Sequence, residues 1–164
     1  MNKLFRLKRL SHTKVSVLVL YIMVVGGCGT NPISGPHYHE KTTLICDRPS
    51  KYKGKVIGDG HCVSLIKQCS GAPSTRHWRP GSQVLSLEKL AAGTVIATFK
   101  GNTYPNVSGW HAAIYISHDK DGILVWDQWK GKRVHKRLIR TRNDNASAGN
   151  TAQAYRVVRL IDSK

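Results

Sequence analysis

The chain has 164 residues and is 40% hydrophobic, enough for one modest core and too short for two full domains once a leader is set aside. Twenty-six basic residues stand against nine acidic ones, a formal net charge of +17. Charge of that kind governs solubility and steering rather than fold. No recognition helix or aromatic-basic motif accompanies it, so nucleic acid is not the partner it implies.

Met1 to Cys28 reads as a targeting segment. Lys3, Arg6, Lys8, Arg9 and Lys14 form a basic head, and Val15 to Val25 is almost unbroken apolar sequence. That run is shorter than the ~20 residues that span a bilayer. Val25-Gly26-Gly27-Cys28 resembles a bacterial lipobox, which implies a lipidated Cys28 as mature N-terminus and an anchor in the membrane. The alternative is an ordinary signal peptide with an incidental cysteine. Beyond Cys28, twenty-one basic residues face nine acidic ones, a net +12. For an exported protein this points to anionic wall polymers, anionic lipids or an acidic partner protein, beside the plainer reading of a well-solvated surface.

Residues 29–45 are expected to link anchor and domain, with Gly, Pro and His prominent from Gly29 to about Glu40. His37 and His39 have no spaced cysteine or acid beside them, so the segment reads as linker rather than metal tag, and no metal or cofactor is expected. The domain is expected over 46–164. Its first helix is predicted to begin at Asp59 or Gly60 with Asp59 as N-cap, because Cys62, Leu65, Ile66 and Cys69 share one helical face. It ends near Ser70-Gly71-Ala72-Pro73. A polar loop through Trp78-Arg79-Pro80-Gly81 and a short helix or turn over Leu85–Ala91 follow. Five strands are then predicted: Thr94–Phe99, His111–Ser117, Ile123–Trp129, Val134–Ile139 and Ala154–Ile161. A helix followed by an antiparallel meander gives an α+β fold.

Cys46, Cys62 and Cys69 remain after the leader junction, and an odd cysteine in an exported chain suggests a reactive thiol. Cys62 and Cys69, seven residues apart on one helix, lie ~10 Å apart along its axis and cannot bond. Cys46–Cys69 is then the one pairing that spares Cys62; two unpaired, partly buried thiols are the alternative. Cys62 falls at the helix start, where the dipole favours thiolate. His111 follows Gly109-Trp110 at the mouth of a strand, and Asp127 lies in the next one. A five-residue turn from Ser117 to Asp121 sets Asp127 opposite His111, and a four-residue turn sets Gln128 there. A carboxylate fixes the imidazole tautomer and stabilises its charged form, which favours Asp127. Each residue alone has a plainer structural reading, but nucleophile, base and orienter in this order suit thiol catalysis, with the Cys62 N–H as oxyanion donor. Trp78, Trp110 and Trp126 are candidates for a groove lining or for the core.

The segment Gly58-Asp59-Gly60-His61-Cys62-Val63-Ser64-Leu65-Ile66-Lys67 resembles the nucleophile segment of NlpC-type and CHAP-type cell-wall amidohydrolases. From about Val56 to Ile139 the chain more closely resembles the second family of type VI secretion amidase effectors. Gly71-Ala72-Pro73, His77-Trp78-Arg79-Pro80-Gly81, Tyr104-Pro105-Asn106, His111-Ala112-Ala113-Ile114-Tyr115 and Trp126-Asp127-Gln128-Trp129 carry that resemblance. It implies a papain-like α+β fold, hydrolysis of amide bonds in peptidoglycan stem peptides or crosslinks, and Cys62 as nucleophile with His111 as base and Asp127 as third member. It also admits a cognate immunity protein as partner. The leader departs from that family, whose members are loaded from the cytoplasm. It points instead to envelope export of a domesticated amidase, where a Cys46–Cys69 bridge would suit the oxidising compartment. The rival expectation is a non-catalytic basic lipoprotein that binds wall or partner on the same scaffold.

Overall fold

The computed structural model describes residues 43–161 apart from 143. The expected leader, the lipidation site Cys28 and the linker up to residue 42 lie outside the described residues. One helix, α1 (Cys62–Ser70), packs on strands β3 and β4 of a six-stranded antiparallel sheet. The strands are β1 (Trp78–Gln83), β2 (Val95–Thr98), β3 (Ala112–Asp119), β4 (Gly122–Trp129), β5 (Lys132–Arg140) and β6 (Tyr155–Leu160). Their spatial order is β1-β6-β2-β3-β4-β5. The fold is α+β, as the order of helix and meander implies.

The helix forms where its periodicity places it. Leu65 and Ile66 are fully buried against Trp78, Ala97, Ala112, Ile114 and Trp126, burial that contributes about 1.5–3 kcal/mol for each large apolar side chain. Gly71, left-handed at φ 69°, ends the helix. The sheet's opposite face carries a second apolar cluster with Ile96, Tyr115, Ile123, Val125, Ile139 and Tyr155. Strand β2 lies between these clusters, and all four of its residues are buried.

Three expectations are corrected. The loop through Trp78-Arg79-Pro80-Gly81 is strand β1, and it pairs with β6. It lies on the sheet edge, where proline's missing N–H leaves no ladder bond broken. The segment Leu85–Ala91 is not helical as a unit; a short 3-10 turn spans Val84–Ser86. The β3–β4 connection is neither a four- nor a five-residue turn: Asp119 pairs with Gly122 across Lys120 and Asp121, and a bulge falls between Tyr115 and Ser117. Asp119 accepts the Asp121 and Gly122 N–H groups, which closes the turn.

The packed domain also begins earlier than residue 46. Leu44 is buried and its carbonyl accepts the Val95 N–H at 2.9 Å, Ile45 bridges to Thr94, and the Cys46 N–H donates to Gly93 O at 2.9 Å. Cys46 is joined to Cys69 by a disulfide across 23 residues. The first segment of the domain is thereby tied to the last turn of α1. Closing a loop of that length restricts the unfolded chain and is worth about 3 kcal/mol. The Cys46→Ala, Cys69→Ala double variant should therefore lose about 3 kcal/mol in a urea titration, and reductant should bring the unsubstituted protein to the same midpoint.

Candidate active site

The loop before α1 fixes where Cys62 stands. Asp59 does not cap the helix as expected. Its Oδ1 accepts the His61 N–H at 3.0 Å and the Ser64 hydroxyl at 2.6 Å, and His61 takes the cap position without a side-chain bond. Cys62 is consequently the first helical residue, where backbone N–H groups have no partner within the helix. Gly58 makes the bend: its φ is +56°, and a Cβ there would lie 2.8 Å from Ser64 Cβ. Gln128, fully buried, holds the loop from β4. Its Oε1 accepts the Ile57 N–H at 3.0 Å, and its Nε2 donates to Ile57 O at 2.8 Å and His61 O at 2.9 Å. The runner-up for orienting His111 thus fastens the nucleophile loop instead.

His111 lies just before β3. Its backbone N–H donates to Thr98 Oγ1 at 3.0 Å, and its carbonyl accepts the Thr98 N–H. Its Nε2 meets Asp127 Oδ2 at 3.0 Å. Neither register expected from the turn length produces this pairing. With Ile114 opposite Trp126, Asp127 falls diagonal to His111, within reach of a side-chain contact. Arg137 on β5 donates its Nε to the same Asp127 oxygen at 2.7 Å, and its other nitrogens reach Asn150 Oδ1 and Gly149 O. Gly149 lies behind His111, and a Cβ there would come 2.9 Å from His111 Cβ. Asp127 Oδ1 is buried without a hydrogen-bond partner, and His135 Nδ1 lies 3.8 Å away.

The electrostatics favour a charged pair. Burial pushes the Cys62 thiol pKa up, but hydrogen bonding and charge from His111, the Tyr104 hydroxyl and the Ala112 N–H bring it below the ordinary thiol value. Burial would depress the His111 pKa, yet the hydrogen bonds to Asp127 and Cys62 outweigh it and raise the imidazole from 6.5 to about 9. Both shifts stabilise thiolate beside imidazolium. Tyr104 Oη is 3.5 Å from Cys62 Sγ. Burial and the neighbouring thiol push its own pKa up, so it stays a proton donor.

The geometry brings together Cys62 from α1, His111 from the residue before β3 and Asp127 from β4. It adds residues that the sequence reading passed over. Tyr104, held edge-on by Trp78 and Phe99, belonged only to a motif in a loop. Arg137 and His135 were two residues of a basic strand, and only the fold shows that Asp127 lies beside them. Trp78 and Trp126 are core residues, Trp110 is half-buried, and Trp129 stands 6.4 Å from the His111 ring with Arg137 over its face. Among the described residues no cluster of three or more His, Cys, Asp or Glu could hold a metal.

Comparison with known proteins gives this arrangement a context. The sequence model of the family described as domesticated amidase effector 2 matches residues 37–157. The type VI secretion amidase effector 2 protein of Salmonella typhi is 39% identical over 116 residues, which is 62% of this chain and 87% of that protein. The domesticated amidase effector 2 of Ixodes scapularis is 40% identical over 107 residues, 60% of this chain and 72% of the relative. A solved structure of type 6 secretion amidase effector 2, papain-like in fold, is similar with a TM-score of 0.64 at 34% identity, covering 72% of this chain and 95% of that one. The chain belongs to the domesticated amidase effector 2 family.

Proposed function

We propose that the protein is a cysteine amidase that hydrolyses amide bonds in peptidoglycan stem peptides or their crosslinks. The observation that carries this reading is the buried line from Asp127 through His111 to Cys62 at a helix start. The family's amidases and the cell-wall resemblance of the nucleophile segment supply the substrate class.

Cys62 thiolate attacks the amide carbonyl carbon, and the carbonyl electron pair moves to oxygen. The Cys62 N–H, without a helical acceptor, is placed to bind that oxyanion. With Nε2 held by Asp127, the other ring nitrogen, Nδ1, serves the reaction side. It protonates the leaving amine as the C–N bond breaks, leaving a thioester on Cys62 and a neutral imidazole. That imidazole then takes a proton from water, whose oxygen attacks the thioester. The carboxylic acid leaves as the C–S bond breaks and gives its remaining proton to solvent, and thiolate and imidazolium are restored. Asp127 keeps the tautomer and balances the imidazolium. Arg137 fixes Asp127 in place through the bond from its Nε.

The leader, Cys28 lipidation and an envelope location are part of the same proposal. An oxidising compartment would keep the Cys46–Cys69 bridge. The +12 excess beyond Cys28 would concentrate the enzyme on an anionic wall, less so at high salt. An immunity protein would have to cover the same cleft.

Protein lacking residues 1–28 should release new fragments from purified Gram-negative peptidoglycan, identified by mass spectrometry. Cys62→Ala should release none, and Asp127→Asn should be slower by about 10²- to 10⁴-fold. Salt-sensitive retention on peptidoglycan with no product, from folded and reduced protein, would instead support the binding-module reading. The pH profile is a second check. The thiolate forms as pH rises through the lowered Cys62 pKa, and the imidazolium is lost as pH passes about 9. Activity should rise and fall across those limits. Iodoacetamide should alkylate Cys62 with a midpoint below that of an ordinary thiol, and His111→Ala should move that midpoint upward, because burial then acts unopposed by the imidazole.

A further inference from the structure

An open groove of about 560 Å³ lies at one end of the sheet. It has room for a few amino-acid residues. Phe99 and Trp110 line it, and each is one residue from the site: Phe99 follows Thr98, which bonds His111, and Trp110 precedes His111. The Phe99 ring also stands edge-on to Tyr104, the ring whose hydroxyl meets Cys62 Sγ.

Arg156 lines the same groove. Strand pairing sets it opposite Ala97, and Ala97 opposite Ala112, so the three form a row across β6, β2 and β3. Ala97 and Ala112 belong to the apolar cluster beneath α1, so the row faces the nucleophile helix. The Ala112 N–H interacts with the Cys62 sulfur. Two strand spacings put the Arg156 backbone roughly 10 Å from Ala112, within reach of one or two residues of an extended peptide. Ala97, between them on that row, is buried in the core, so a peptide joining the two points follows the groove past Phe99 and Trp110. Arg156 is half-buried, and among the described residues it has no hydrogen-bond or ion-pair partner. The arginines Arg79, Arg133, Arg137 and Arg142 are all engaged by protein oxygens.

We propose that Arg156 is a substrate-recognition residue that binds a free carboxylate of the peptide whose amide Cys62 attacks. A single planar guanidinium beside the neutral amide of Asn102 suits a bidentate monoanion better than a polyphosphate, which needs several cations. Phe99 and Trp110 offer flat apolar walls to the peptide stem. The substrate class narrows to acidic peptides bearing a carboxylate within one or two residues of the scissile bond. Either an α-carboxylate left free by a side-chain-linked amide or a chain-terminal carboxylate meets that description. This proposal rests on the amidase reading above.

The test uses the unsubstituted protein, Arg156→Gln and Arg156→Lys. The substrates are a soluble stem peptide and versions of it in which each carboxylate in turn is an amide. For the unsubstituted protein, kcat/KM should fall about ten- to a hundredfold when the recognised carboxylate is amidated, and not for the others. Arg156→Gln should lose a similar factor on the acid form and nothing further on the amide. Arg156→Lys should recover part of the loss. Equal losses on both forms, or no preference by the unsubstituted protein for any carboxylate, would overturn the assignment. Calorimetric binding of the same peptides to Cys62→Ala protein separates the two claims. A carboxylate preference that vanishes in Cys62→Ala, Arg156→Gln keeps Arg156 as the recognition residue even if no peptide is cut. Cleavage without any such preference keeps the amidase and removes the role of Arg156.

Discussion

Asp127 has no exposed surface, and a carboxylate buried this deeply is tolerated only when opposite charge and hydrogen bonds replace its water. Arg137 and His111 supply that replacement at a single oxygen, 2.7 and 3.0 Å away. The rest of the site follows from the arrangement. An imidazole held by a buried carboxylate favours its charged form, and a thiol beside that imidazolium favours its own. Arg137 also draws in the 148–150 turn through Gly149 and Asn150, and that turn packs behind His111. Removing the carboxylate would loosen the base, the turn behind it and the charge state of the nucleophile together.

A second constraint acts on the nucleophile. Cys62 is the first residue of a nine-residue helix, too short to be stable on its own. Its start is fixed by three hydrogen bonds from Gln128 and by the Asp59 turn. Its end is fixed by the disulfide to Cys46, and Leu65 and Ile66 seat the middle. Asp127 and Gln128 are adjacent on β4, and their side chains leave it in opposite directions. One strand therefore orients the base on one side and the nucleophile loop on the other.

Much of this was legible in the chain. The i, i+3, i+4, i+7 spacing from Cys62 located α1, and five of the six strands and the α+β class followed from alternation and turn residues. Strand β1 was hidden by Pro80 and Gly81, which read as loop because edge pairing is not visible in composition. The choice of Asp127 over Gln128 came from chemistry rather than register. The bulge near Ile116 and the two-residue turn together shift the hairpin in a way no turn-length count anticipates. Tyr104, Arg137, His135 and Arg156 were beyond reach for a similar reason. Each gains its meaning from a neighbour far along the chain, and a basic strand or a loop tyrosine carries no local mark of that neighbour.

The chemistry turns on a thioester formed at Cys62, and the partition of that intermediate between water and an added nucleophile reports on it. Peptidoglycan fragments digested with the protein in the presence of rising hydroxylamine should yield the cleaved acyl end increasingly as hydroxamate instead of carboxylate, with the amine product unchanged in identity. Cys62→Ala protein should yield neither. Carboxylate as the sole acyl product at every hydroxylamine concentration, from a protein that still cleaves, would mean that water attacks the amide directly, and would contradict a nucleophilic role for Cys62.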